Sequence, residues 1–81
     1  MTFPLSVYSL DRTIFEGKAV ALTAPAADGE IQILGQHTPL VSALKEGDMV
    51  IEKEDGSRQK IPIAGGVVEV TSQTVIALVN F

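Results

Sequence analysis

Apolar side chains recur at every second position along much of this chain. Leu5 and Val7 alternate with Ser6 and Tyr8, and Val20, Leu22 and Ala24 with Ala21 and Thr23. Ile61 and Ile63 flank Pro62, and Val68 and Val70 flank Glu69. A period of two places alternate side chains on one face of a pleated strand, whereas a helix needs a period of 3.6. No stretch long enough for a helix keeps helical spacing without a Gly, a Pro or a turn cluster inside it. Val, Ile and Thr are abundant, which suits a half-buried pleated surface.

Turn signals punctuate this pattern at Leu10-Asp11-Arg12, Glu16-Gly17, Ala27-Asp28-Gly29, Gly35-Gln36, Glu46-Gly47-Asp48, Asp55-Gly56, Gly65-Gly66 and Ser72-Gln73. Between them the pattern predicts strands at 5–9, 14–16, 18–24, 30–34, 40–44, 49–54, 58–63, 67–71 and 74–79. Asp55-Gly56 predicts a hairpin closed by a type I′ turn, because that turn needs two residues with positive φ. Pro62 lacks an N–H and is expected on an edge strand or at a non-bonded position. Gly65-Gly66 predicts a bulge, a bend or a close backbone approach. The expected fold is all-β: a flattened sandwich or barrel of about eight to ten short strands, in one domain covering residues 1–81.

Composition narrows the function. Hydrophobic residues make up 46% of the chain, enough for a core and too many for a disordered tail. The formal net charge is −4. The cations Lys45, Lys53, Arg58 and Lys60 sit on or beside one predicted hairpin, with Glu52, Glu54 and Asp55 interleaved among them. No basic field is left to neutralise a phosphate backbone, so nucleic acid is not expected as a partner. Tryptophan is absent, which disfavours stacking platforms for bases. Cysteine is absent too, which excludes disulfides and Cys-based metal sites and favours a reducing compartment. The longest apolar run, residues 75–79, is far below the ~20 residues of a membrane span. No signal peptide is visible after Met1, so a soluble cytosolic chain is expected unless a partner holds it at a membrane.

The candidate chemistry is sparse. Asp28 and Glu30 flank Gly29, and two carboxylates perform acid–base work only where an enclosed site separates their pKa values. A solvated turn explains the same residues: Asp for the turn hydrogen bond and Gly for positive φ. His37 is the sole histidine, and no Cys or second His accompanies it. That leaves no zinc set and no nucleophile–base pair, and His37 reads either as a loop residue bonding nearby backbone or as a contact residue. Gly65-Gly66 lacks the third glycine and the helix of a dinucleotide fingerprint, and no phosphate-loop Gly-Lys-Ser/Thr occurs. Glu69, alone among apolar neighbours, is expected to face solvent or an interface. No catalytic residue, metal site, nucleotide site or cofactor is expected. A small hydrolase built on Asp28, Glu30 and His37 lacks a nucleophile, and a free-standing β-sandwich binding module remains the alternative.

One stretch is more specific. Asp28-Gly29-Glu30-Ile31-Gln32-Ile33-Leu34-Gly35-Gln36-His37-Thr38-Pro39-Leu40-Val41-Ser42-Ala43-Leu44-Lys45-Glu46-Gly47 resembles the signature of the epsilon subunit of F-type ATP synthase. Phe15-Glu16-Gly17 upstream is similar to the family's Phe-Ser-Gly. Ile63-Ala64-Gly65-Gly66-Val67-Val68-Glu69-Val70 is similar to its Ser-Gly-Gly-Phe-Leu-Glu-Val, and the apolar strand from Thr74 to Val79 to its closing strand. The chain departs from the pattern at Gln32, where the family usually has Gly, at Gly35-Gln36 in place of Pro-Gly, and at Glu46 in place of Pro. The resemblance implies a ten-stranded sandwich in the rotor stalk, coupling the gamma subunit to the membrane c-ring and performing no chemistry itself. It implies a c-ring contact at Asp28, Gly29, Glu30, Gln36 and His37. It implies a gamma contact at Ser9, Val41 and Ser42, with Leu40 and Leu44 as core or interface residues. It implies a short form without the family's C-terminal helical hairpin, so the hydrolysis inhibition and ATP binding carried there are expected to be missing. The place implied is the cytoplasmic side of a bacterial inner membrane, peripheral and held by the complex.

Overall fold

The computed structural model describes residues 1–35 and 38–81 of the chain. Eight strands and no helix occur among them: β1 (Phe3–Tyr8), β2 (Thr13–Ala26), β3 (Gly29–Leu34), β4 (Leu40–Leu44), β5 (Gly47–Lys53), β6 (Arg58–Ile63), β7 (Gly65–Val70) and β8 (Val75–Asn80). The all-β expectation holds. The strands expected at 14–16 and 18–24 are one strand, β2. Gly17 makes no turn there: it has no positive φ and pairs with Leu5 in the ladder.

The length of β2 organises the topology. Its first half pairs antiparallel with β1, from Phe3↔Ala19 to Tyr8↔Thr13. Its second half pairs with β3 on one side and β5 on the other. One layer is therefore β3–β2–β5–β6. The other runs from the first half of β2 through β1, β8 and β7 to β4. The β1–β8 pairing is parallel, joining strands from the two ends of the sequence. The second layer returns to β2 at Ala26↔Leu44, where Lys45 donates its N–H to Pro25 at 2.8 Å and Ala27 donates to Ala43 at 3.2 Å.

The change of layer falls at a β-bulge. Between Ala19 and Ala21 one extra residue, Val20, stands against Lys53 and Glu52 of β5. A bulge bends a strand and shifts its side-chain alternation by one. Before it the inward residue is Ala19; after it they are Leu22 and Ala24. Val20, expected in phase with Leu22 and Ala24, is only half-buried for this reason.

The two layers enclose one apolar core. Leu5 and Val7 of β1, Leu22 of β2, Met49 and Ile51 of β5, Val68 and Val70 of β7 and Val75 of β8 are its largest fully buried side chains. Each removes apolar surface worth about 1.5–3 kcal/mol from water. No polar or charged side chain among the described residues is buried with them. The alternation read from the sequence is the one observed in β1, β6 and β7; β8 buries every second residue as well, although its sequence is apolar on both faces.

The β5–β6 hairpin forms where Asp55-Gly56 predicts it, with a different turn. Only Gly56 has positive φ, +86°; Asp55 does not. Gly56 donates its N–H to Lys53 at 3.0 Å, and Lys53 donates to Ser57 at 2.9 Å. Three residues, Glu54 to Gly56, thus form the loop: a turn followed by a glycine bulge rather than a two-residue type I′ turn. The Asp55 carboxylate accepts from the Ser57 N–H at 2.8 Å and from its hydroxyl at 2.6 Å. These bonds, with the Ser57 hydroxyl foremost and Lys53 nearby, hold the Asp55 pKa below its ordinary value. Asp55 thereby prefers an ordinary-turn conformation to positive φ.

Pro62 lies opposite Asp48 on β6, which pairs only with β5. Its missing N–H costs the sheet nothing on that edge. Exposed pairs Arg58–Glu52 at 3.8 Å and Lys60–Asp48 at 3.9 Å also dress this hairpin. Pairs this exposed add little stability, but charge and proline discourage strand addition.

Three variants test this account. Gly66 has φ +151°, and a Cβ there would collide with the carbonyl oxygen of Leu78 and lie 2.9 Å from Val79 Cα. Gly66→Ala is expected to cost more than about 2 kcal/mol in urea unfolding. Gly56→Ala, with open space around it, is expected to cost only about 1 kcal/mol. Ser57→Ala is expected to raise the Asp55 pKa toward its ordinary value in an NMR titration. The sign follows from the depressed folded pKa: the stabilisation from Asp55 is present above its unfolded pKa and is lost as pH falls through the lower folded one.

Candidate functional site

Two surfaces stand out, and they are separate. The first is the β2–β3 turn. Ala26 pairs with Gly29; Ala27 and Asp28 form the turn, and Gly29 takes φ +127° with nothing near its missing side chain. Asp28 and Glu30 are exposed on either side of it. Neighbouring connections gather at the same end. Lys45 bonds to Pro25, a Cβ on Gly47 would touch Pro25, and Ala64 donates its N–H to Asn80 at 2.8 Å. Phe81 joins them, with the Arg12 guanidinium 5.8 Å from its ring centroid. Shallow open depressions beside Phe81 involve Glu46, Pro62 and Ala64 on one side and Leu10 and Asp11 on the other.

Gly35 lies at the opposite end of β3 from Glu30, against Met1. At ~3.4 Å per residue the strand between them is about 17 Å long. Gln36 and His37 lie outside the described residues. A body touching both Glu30 and the Gly35 end therefore has to span the length of β3.

The second surface is the outer face of the β1–β8–β7–β4 layer. Register sets its composition. One row across the strands is Ala43, Val67, Leu78 and Tyr8; the next is Val41, Glu69, Ile76 and Ser6. Val41 is 69% exposed, Leu78 46%, Ile76 40% and Val67 38%. Strand neighbours on one face sit within about 5.5 Å, so these side chains form a continuous apolar surface. Contiguous exposed apolar surface of this kind marks an interaction site. Glu69 is the sole charged residue of the four strands, and it faces outward between Val41 and Ile76.

Of the residues expected at a gamma contact, Val41 lies squarely on this face. Ser42 is half-buried, points the other way, and its hydroxyl donates to the Ala43 carbonyl at 3.2 Å. Ser9 closes the β1–β2 turn: its hydroxyl donates to Asp11 at 2.9 Å and its N–H to the Arg12 carbonyl at 2.9 Å. Leu44 belongs to the core, and Leu40 is 39% exposed at the edge of the layer. Sequence reasoning passed over Val67, Ile76, Leu78 and Tyr8. The signal for Ile76 and Leu78 is the unbroken apolar run 75–79, which makes β8 apolar on both faces; Val67 and Tyr8 lie outside it.

Among the described residues no three His, Asp or Glu side chains converge as metal ligands. No helix there is long and apolar enough to cross a membrane.

Comparison with known proteins decides the family. The family model for the beta-sandwich domain of the ATP synthase delta/epsilon chain matches residues 2–81. The chain belongs to this family. It is 40% identical over 82 aligned positions to the ATP synthase epsilon chain of Dichelobacter nodosus, which spans 99% of this chain and 57% of that one. It is 38% identical to the epsilon chain of Delftia acidovorans, over 95% of this chain and 56% of that one. The chain thus spans little more than half the length of these relatives. Its fold superposes with a TM-score of 0.90 and 25% identity on a chain of the Euglena gracilis mitochondrial ATP synthase OSCP/F1/c-ring structure, covering 96% of this chain and 50% of that one. A chain of the Tetrahymena thermophila mitochondrial ATP synthase central stalk/c-ring structure shares the fold at a TM-score of 0.80 and 16% identity, covering 100% of this chain and 65% of that one.

The outward apolar side chains of this ATP synthase beta-sandwich domain are covered less than those of its core. Ile76→Thr is expected to change stability by less than about 1 kcal/mol. Ile51→Ala, which opens a cavity in the core, is expected to cost about 2–5 kcal/mol. Urea unfolding of the two variants checks the contrast.

Proposed function

We propose that this chain is a central-stalk subunit of an F-type ATP synthase that joins the gamma subunit to the c-ring and turns with both. The observation that carries the reading is the pairing of two separate surfaces on one hydrogen-bonded body. The outer face of β4, β7, β8 and β1 docks gamma through Val41, Val67, Ile76 and Leu78. The β2–β3 turn, with Asp28, Gly29 and Glu30, meets polar loops of the c-ring. Glu30 accepts hydrogen bonds from polar or basic groups there, which are strong when one partner is charged. Gln36 and His37, which lie outside the described residues, belong to the same proposal as c-ring contacts.

The subunit transmits motion and breaks no covalent bond. The folded unit is the whole of residues 1–81, with no cofactor or metal in its task. It sits at the cytoplasmic side of a bacterial inner membrane, held there by the complex rather than by insertion. The bacterial epsilon chains described above support the reading, as does the exposed apolar face, whose burial by a partner is favourable at about 25 cal/mol per Å². A stable interface needs about 1,000 Å² or more in total.

Copurification with the cognate gamma subunit tests this directly. A complex is expected at micromolar protein, and Leu78→Asp is expected to abolish it while leaving the fold intact by circular dichroism. Glu30→Ala is expected to retain gamma and to lower ATP-driven proton pumping in the reconstituted enzyme. Absence of any complex with gamma would overturn the docking reading.

A further inference from the structure

Glu69 is an anomaly on the surface just described. It projects from the middle of β7, with Val41 directly across on β4 and Ile76 directly across on β8. Val67 precedes it on the same face, and Leu78 lies diagonally beyond. β1, β4, β7 and β8 contain no Lys, Arg or His. No cation among the described residues pairs with Glu69; the ion pairs there belong to Arg58 and Lys60 on β6, in the other layer. Its position does not serve the fold, because its side chain points away from the core while Val68 and Val70 fill it.

A carboxylate at this place matters only when the face is covered. Covering the apolar rows removes water from Glu69 as well, and an ion buried without a partner costs several kcal/mol. The covering body therefore has to bring a positive charge to this point. Self-association through this face does the reverse, since it brings two carboxylates together among strands that carry no cation of their own. An arginine meets the need better than a lysine: its guanidinium is less strongly hydrated and can grip both carboxylate oxygens.

We propose that Glu69 fixes the register of this face by receiving a cationic side chain, best an arginine, that projects from an otherwise apolar surface of the gamma subunit. The inference rests on the gamma-docking reading above and adds the chemistry of its partner. The apolar rows supply adhesion that tolerates sliding. The charge pair supplies the one point at which sliding is penalised.

The test is a binding measurement on the complex of this chain with its cognate gamma subunit, by surface immobilisation kinetics. Glu69→Gln is expected to melt like the wild type and to weaken the complex by roughly tenfold or more, mainly through faster dissociation. Each Arg and Lys of gamma is then replaced by Gln in turn and combined with Glu69→Gln. At one gamma position the double variant is expected to bind no more weakly than the weaker single, which is the signature of a shared pair. If Leu78→Asp abolishes binding but Glu69→Gln stays within twofold of wild type, the face docks gamma and the proposed pair is wrong. Additive effects at every gamma position would also overturn it. If the wild type does not bind gamma, or Leu78→Asp binds unchanged, the docking reading fails and takes the pair with it. A homodimer in sedimentation that Leu78→Asp dissolves would assign the face to a second copy and overturn the pair too.

Discussion

The backbone of β2 has to satisfy two layers at once. Its N–H and C=O groups bond β1 before the bulge and β3 and β5 after it. A buried backbone group without a partner carries a penalty close to that of a lost hydrogen bond, so the crossing has to leave none stranded. The bulge at Val20 marks that crossing. It turns the strand and re-phases it, so that Ala19 faces the core on one side and Leu22 on the other. Everything else in the sandwich is hung on that corner: β5 and β6 follow from the second half, and β1, β8, β7 and β4 follow from the first and close back on Ala26.

Closure of this kind leaves few free edges and fixes the outer faces in place. The outer face of the β1–β8–β7–β4 layer is flat enough in composition to act as one surface because register lines up Ala43, Val67, Leu78 and Tyr8 across four strands. Small residues help. Gly66 allows the backbones of β7 and β8 to approach more closely than any side chain would permit. The apolar face and the acidic β2–β3 turn are thus held at a fixed separation by one hydrogen-bonded body. The proposed joining of two partners rests on that fixed separation.

Most of this fold was legible in the sequence. Period-two alternation placed the inward residues of β1, β6 and β7, whose inward and outward positions differ in polarity; β8, apolar on both faces, offered no such cue. Pro62 read as an edge residue and Gly65-Gly66 as a point of close approach for reasons that the structure bears out. Three features were not legible. Glu16-Gly17 looks like a turn, but glycine can also be extended, and pairing with Leu5 decides the matter. Val20 looks in phase with Leu22, because a bulge leaves no mark in composition. Asp55-Gly56 fits a two-residue turn equally well until Ser57 offers Asp55 two hydrogen bonds. The site divides in the same way. Exposure of Asp28, Glu30 and Glu69 followed from turn chemistry and alternation. The wider apolar face did not, because which strands lie side by side is set by long-range pairing, and only the doubly apolar run 75–79 hinted at it.

The parallel pairing of β1 with β8 has a mechanical consequence. The start of β1 and the end of β8 lie at opposite extremities of the same ladder. Tension applied between Phe3 and Asn80 would load the Leu5-to-Tyr8 bonds side by side, in shear, instead of peeling them one after another. A ladder loaded in this way resists stretching along the line from Phe3 to Asn80 better than one peeled bond by bond, and yields first where strands can be unzipped from an edge.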